Sequence, residues 1–185
     1  NYGFSFNFPN LSSYLLHACA PLSNGDHEMI FEQWVPHAPA NVFPFFADEK
    51  NLESLTPPFL NFKVLGKSSE AINEGTLIDY QLHLHGVPLK WRSRIEQWEP
   101  NQKFVDLQLK GPYRKWHHTH EFIAFGGGTL LRDRVLFRLP LGFFGSLIVG
   151  SKVQKDILNI FAYRRSRMGE LLDAHIQNFK KSKSS

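Results

Sequence analysis

Apolar residues recur at every second position along most of this chain and at every third or fourth position after Pro140. The first period is that of a β-strand, whose side chains alternate between faces. The second is that of an α-helix. Alternation runs longest over 111–140, GPYRKWHHTHEFIAFGGGTLLRDRVLFRLP, which predicts two strands joined by a Gly-rich turn. One face of the first strand carries Trp116, His118, His120 and Phe122. One face of the second carries Thr129, Leu131, Asp133, Val135 and Phe137. A strand that only filled a core would not need those histidines or that aspartate. The mismatch points to a lined cavity before it points to any reaction.

In chain order, residues 1–28 are rich in Asn, Ser, Phe and Pro and lack periodicity. They are expected to be an extension, with the domain starting near Met29. A strand is predicted over 29–36. Pro39 opens a short helix over 41–48, a favourable place because its missing N–H is not needed there. A second short helix, 50–55, is stopped by Thr56-Pro57-Pro58. Strands follow over 59–66, 76–85, 87–98 and 103–109, ahead of the long hairpin. Ile78, Tyr80, Leu82 and Leu84 share a face in one, and Leu89, Trp91, Ser93 and Ile95 in the next. After Pro140 a helix runs to about residue 177. Val153, Ile157, Ile160, Phe161, Arg164, Met168, Leu171 and Leu172 form its amphipathic stripe. Residues 178–185 read as a disordered basic tail. This order predicts an α+β domain, a curved antiparallel sheet wrapped around a long C-terminal helix, with a cavity between them.

Composition narrows the function classes. The chain has 185 residues, the size of one domain, and 17 are Phe, which suits a fold with a large apolar volume to fill or line. The net charge of +4 is not gathered into a stripe, so nucleic acid is not expected as a partner. Arg164, Arg165 and Arg167 with Lys152 and Lys155 read as a solvated basic side of the helix. The single cysteine, Cys19, rules out an intrachain disulfide and a multi-cysteine metal site, and fits a reducing, cytoplasmic setting. No apolar run approaches the roughly 20 residues that span a bilayer. The apolar patch 14–20 has no Lys or Arg ahead of it and does not read as a secretory signal. There is no phosphate-loop, dinucleotide-fingerprint or nucleophile-elbow pattern, and no cofactor is expected.

The candidate chemistry lies on the hairpin. With a turn centred on Gly126-Gly127, opposed residues sum to 253, which sets His120 across from Asp133. The pair reads in three ways: two buried groups satisfying each other, a contact for a ligand carbonyl, or a catalytic imidazole oriented by its carboxylate. His118 and His120 share a face as histidine ligands on a strand can, but a metal site needs a third ligand and an open position. Asp133 is the third candidate, and without a Cys or HExxH pattern no metal is expected. Asp106 and Gln108, on the preceding strand, are expected to face the same way. With His118, His120, Asp133, Tyr80 and Trp91 they form a polar cluster among aromatics, the composition of a ligand pocket.

The stretches FFADEKNLESLTPPFLNFKVL (45–65), GTLIDYQLHLHGVPLKWRSRIEQWEP (75–100), GPYRKWHHTHEF (111–122) and GGTLLRDRVLFRLP (127–140) carry a family likeness. Over 29–177 the chain resembles the helix-grip (SRPBCC, START-like) superfamily. The likeness is nearest to bacterial ligand-binding proteins called polyketide cyclase/dehydrase. Some relatives carry the label CDP-paratose epimerase or occur fused to nucleoside-sugar epimerase domains. The resemblance implies a helix-grip fold that binds a hydrophobic or aromatic small molecule, lipid-, polyketide- or quinone-like. A cyclase, dehydratase or isomerase using His120 and Asp133 is the alternative, and an accessory module of an epimerase is a third reading. It places Phe59 at the cavity mouth and Trp116, Ile157 and Phe161 among the lining residues. A monomer or dimer without membrane insertion is expected.

Overall fold

The computed structural model describes Leu22, residues 25–139 and residues 151–182 in full, and the backbone of 19–21 and 143–150. Eight antiparallel strands form one sheet: β1 (Cys19–Pro21), β2 (His27–Val35), β3 (Lys63–Lys67), β4 (Leu77–Leu84), β5 (Val87–Glu99), β6 (Lys103–Lys110), β7 (Lys115–Phe125) and β8 (Gly128–Arg138). Their order across the sheet is β1-β2-β8-β7-β6-β5-β4-β3, so the first long strand pairs with the last. Two short helices, α1 (Pro39–Phe46) and α2 (Lys50–Ser54), and a 3₁₀ turn, Pro58–Leu60, separate β2 from β3. One long helix, α3 (Phe143–Ser182), closes the fold.

The alternating pattern forms strands because each second side chain is needed on the inner face. In β2 these are Met29, Phe31, Gln33 and Val35, all buried. In β8 they are Thr129, Leu131, Asp133, Val135 and Phe137. Three glycines in a row set the β7–β8 hairpin. Gly126 and Gly127 have φ of 57° and 78°, the left-handed region that a two-residue hairpin turn requires. A Cβ on Gly128 would lie 2.2 Å from the Val35 carbonyl oxygen, so the neighbouring strand can approach only a glycine there. The register that follows pairs Phe125 with Gly128, His120 with Asp133 and Trp116 with Phe137.

The sheet's inner face is filled unequally. Near α1, Val42, Phe43 and Phe45 meet Phe104, Phe122 and Leu131 from the sheet and Met168 and Leu172 from α3. Phe43 sets its ring edge against Trp98, Phe104 and Phe122 at 5.0–6.2 Å between centroids. Near the start of α3, Val153, Ile157 and Phe161 pack on Met29, Phe31, Val135 and Phe137, with Phe31 and Phe161 stacked at 3.8 Å. Each fully buried aliphatic or aromatic side chain contributes about 1.5–3 kcal/mol. These two clusters therefore clamp the helix at both ends.

Three boundaries differ from the sequence pattern. β2 begins at His27, and β1 pairs Cys19 with Met29, so the boundary expected at 28/29 falls inside paired sheet. Asp26, fully buried, explains the continuation. It accepts hydrogen bonds from Lys115 Nζ (2.8 Å) and Arg138 Nε (2.7 Å), which fasten the segment to β7 and β8. The strand predicted over 59–66 starts only at Lys63, because Pro57 and Pro58 lead into the 3₁₀ turn and Asn61 adopts a left-handed φ of 42°. The tail predicted as disordered from 178 is helical through Ser182, since no Gly or Pro ends the helix after Ile176 packs. Residues 1–18 and 183–185 lie outside the described residues.

Candidate functional site

Between the two clamps the inner face is not filled. A cavity of about 230 Å³ remains, walled by side chains of β4, β5, β6, β7 and α3 and by the segment from α1 through the 3₁₀ turn. Its apolar wall comes from strand alternation: Ile78, Tyr80, Leu82 and Leu84 on β4, Trp91 and Ile95 on β5, Trp116 on β7. Ile157, Ile160 and Phe161 close it from α3. Trp91, Tyr113 and Trp116 form an aromatic corner, with centroids 4.8–5.7 Å apart.

The remaining wall is polar. His118 and His120, adjacent inward positions of β7, stack with centroids 3.7 Å apart. His118 Nε2 lies 2.9 Å from Asp133 Oδ1, on β8. His120 Nε2 lies 3.1 Å from Asp106 Oδ2, on β6, and His118 Nδ1 lies 3.8 Å from the same oxygen. His120 Nδ1 is 2.8 Å from Asp133 Oδ1, an ion-pair distance, but off the direction of a hydrogen bond. Asp106 Oδ1 accepts from Ser93 Oγ at 3.4 Å, and Ser93 accepts from Trp91 Nε1 at 3.0 Å. Arg164, from α3, places Nη1 3.7 Å from Asp133 Oδ1 and its guanidinium over the rings of Phe46 and Phe161 at 5.5 and 5.7 Å. Its Nε is buried without a hydrogen-bond partner.

These contacts order the charges. Burial pushes Asp133 up, but Arg164 and the two histidines outweigh it and hold the carboxyl well below its ordinary value. Asp106 is held low in the same way, burial being outweighed by His120, His118 and Arg164. Burial and the neighbouring His120 lower His118. Burial also opposes charge on His120, but hydrogen bonding to Asp106 and pairing with Asp133 raise it. Both carboxyls are thus held toward the anion, and of the two imidazoles His120 is the one whose protonated form its neighbours favour. Burial, helped by Asp106, keeps the Tyr80 hydroxyl neutral. Asp106, His118 and His120 each offer one ligand atom, all within 4.8 Å of one another, a set that can hold a metal ion.

No family model matches this sequence, and no curated protein is similar to it. Solved structures do match. TTHA0849 from Thermus thermophilus has 22% identity, a TM-score of 0.56, and a match covering 80% of this chain and 98% of that one. Ara h 8.0201 has 16% identity and a TM-score of 0.57, over 80% of this chain and 99% of that one. The Zhui aromatase/cyclase from a Streptomyces species has 13% identity and a TM-score of 0.58, over 82% of this chain and 94% of that one. This chain has the helix-grip fold. Identities this low carry the architecture alone.

Within the helix-grip cavity, Tyr80, Trp91, Asp106, Trp116, His118, His120, Ile157 and Phe161 all contribute to the wall. Asp133 does not reach the wall. It lies behind the two histidines, opposite His120 in register and bonded to His118. Two expected lining residues are elsewhere. Gln108 turns its amide onto its own chain: Nε2 donates to the Tyr113 carbonyl at 2.7 Å and Oε1 accepts from the Tyr113 N–H at 3.3 Å. That closes the turn after β6, whose unpaired backbone groups competed for the side chain. Phe59 is 65% exposed, because the 3₁₀ turn rotates it outward and puts Leu60 inside.

Arg164 was misread as part of a solvated basic side. The signal was present, since Arg164 follows Phe161 by three positions and precedes Met168 by four, inside the buried stripe. Ser93 and Tyr113 were also missed as parts of the site. Ser93 shares the inward face with Trp91 and Ile95, which is the signal that could have found it. Tyr113 lies on the turn between β6 and β7, where alternation has no meaning.

Proposed function

We propose that this protein binds a small aromatic or polycyclic molecule, polyketide- or quinone-like, in the helix-grip cavity. The observation that carries the reading is the cavity's composition. Its lining is mostly apolar and aromatic, with His118, His120, Asp106 and Arg164 as one group of polar side chains within it. Ligand sites are built this way: apolar area supplies affinity and a few placed polar groups fix orientation. At about 230 Å³ the cavity is near the small end of ligand pockets, roughly 300–1,000 Å³, which suits one or two fused rings better than a lipid chain. The corner of Trp91, Tyr113 and Trp116 offers ring edges and faces to such a ligand. The polar wall would receive a carbonyl or phenol oxygen. A solved structure of the same fold that is named an aromatase/cyclase supports this ligand class. The epimerase-accessory reading has no residue of the site behind it.

Trp91 and Trp116 provide the test, because both line the cavity. Titration with 2-naphthol is expected to quench tryptophan fluorescence saturably with one equivalent, and His120→Ala should weaken that binding about tenfold. Native mass spectrometry of protein from its own cells should show a retained aromatic compound. Quenching that never saturates, or that Ile160→Phe leaves unchanged, would overturn the reading. Conversion of the retained compound during incubation would move the assignment to a cyclase or dehydratase.

A further inference from the structure

The four side chains of the polar wall do not pair off as two simple ion pairs. Asp133 stands behind both imidazoles. It takes His118 Nε2 at 2.9 Å and abuts His120 Nδ1 at 2.8 Å. The other two ring nitrogens, His118 Nδ1 and His120 Nε2, then turn toward one oxygen, Asp106 Oδ2, at 3.8 and 3.1 Å. Two nitrogens and one carboxylate oxygen thus converge on one place. Asp106 turns Oδ2 to the imidazoles while its other oxygen takes the Ser93 hydroxyl, itself held by the Trp91 indole.

We infer that Asp106, His118 and His120 form a binding site for a divalent first-row transition metal, with Asp133 as the carboxylate that positions both histidines. Four features carry it. The donor set, two imidazoles and one carboxylate, suits zinc or iron(II) and not the oxygen-only coordination of calcium or magnesium. A ligating imidazole almost always gives its far nitrogen to a carboxylate or carbonyl; His118 does so to Asp133, and His120 holds its far nitrogen at ion-pair distance from the same oxygen. The ligating carboxylate has its own outer partner in Ser93. All three ligands line the cavity, so the remaining coordination positions face the space a ligand would occupy. Arg164, the nearby cation, also lines the cavity and pairs with Asp133. Two carboxylates stand against one guanidinium in this cluster, and a cation that binds displaces any proton His120 carries. The third ligand comes from β6, the neighbouring strand, and not from the hairpin that carries the histidines.

The inference stands apart from the organic-ligand reading and is tested with metal alone. Untagged, metal-free full-length chain would be titrated with Zn²⁺ by calorimetry and with Co²⁺ by visible absorption. One equivalent is expected to bind, with d–d bands of a low-coordinate nitrogen and oxygen site. Asp106→Asn, close to isosteric, should remove that equivalent. Asp133→Asn should lower affinity roughly 10–100-fold with the band shape retained, the signature of a residue acting through the ligands. His37→Ala and His85→Ala, at exposed His–Asp pairs, should change nothing. X-ray absorption of the zinc-loaded wild type should show nitrogen and oxygen neighbours at about 2.0–2.1 Å and no sulfur. That measurement needs no variant to fold. Zn²⁺ binding that survives Asp106→Asn, disappears in His37→Ala or His85→Ala, or shows a sulfur ligand would overturn the proposal. So would no binding at all.

Discussion

Two buried clusters of acidic and basic groups lie on this sheet, and they differ in the kind of partner each acid is given. Asp26 is held by the ammonium of Lys115 and the guanidinium of Arg138. Both partners are permanent cations whose stems reach out to solvent. Asp106 and Asp133 are held by two imidazoles and by one guanidinium that has no exit. The first cluster lies away from the cavity and the second forms part of its wall. The contrast separates a fastening from a site. Permanent cations satisfy a buried acid and leave nothing over, whereas an imidazole that gives up its proton offers a lone pair, and these two line open space. Burial of charge alone would not have told the two apart.

The comparison can be broken by experiment. Replacing Lys115 and Arg138 together by Met leaves Asp26 buried without these two cations. A loss of about 3 kcal/mol in urea unfolding is expected, at the lower end for a broken buried pair because both cations are part exposed. Metal and naphthol binding by the folded fraction should be unchanged. If binding falls as well, the two clusters are not separable.

A steric pair sharpens the same contrast. Val42→Phe, where α1 fills the core, should cost about 1–3 kcal/mol from overpacking. Ile160→Phe, at the cavity wall, should change stability by less than about 1 kcal/mol and abolish naphthol quenching. Thermal unfolding and fluorescence titration check both.

Acid separates the fastening further. Burial raises the Asp26 carboxyl, yet Lys115 and Arg138 hold it below its ordinary value. A lowered folded value means that the unfolded state takes up the proton first. The Asp26 contribution is therefore complete above the unfolded value near 4 and is lost as pH falls through the lower folded one. The stability gap between wild type and Asp26→Asn should narrow as pH falls below about 4 in parallel urea series. A gap that stays constant would mean Asp26 acts through its shape and not its charge.

The smallest effect belongs to an exposed pair. His85 and Asp156 lie 2.8 Å apart at the surface, and His85→Ala should shift stability by less than about 0.5 kcal/mol.

What could be read from the chain beforehand follows from how local each determinant is. The hairpin register was legible because three adjacent glycines fix the turn and alternation does the rest. It placed His120 opposite Asp133. Asp106 was legible for the same reason, being inward by alternation on β6. Gln108, two residues on, was not, because a nearby turn with unpaired backbone groups captured its amide. Phe59 was lost to a 3₁₀ turn whose rotation two prolines set. Arg164 was misread because its neighbours in sequence are basic, although its helical phase is apolar. The convergence of three ligand atoms was out of reach: it depends on which ring nitrogen faces which strand, and no pattern of residue types encodes that.

The pairing of β2 with β8 has a consequence for how the molecule is made. Glu32 and Arg132, joined across those strands, are 100 residues apart. At a synthesis rate of about 5–20 residues per second, β2 leaves the ribosome roughly 5–20 s before the strand that will cover its edge. During that interval a strand carrying Met29, Phe31 and Val35 has only the three-residue β1 as a sheet partner. Such an edge readily templates pairing with another chain. Crowded overexpression should therefore trap this protein as aggregates of nascent chains. Slowing initiation, so that neighbouring chains on one message are farther apart, should recover soluble protein without altering a residue of the site.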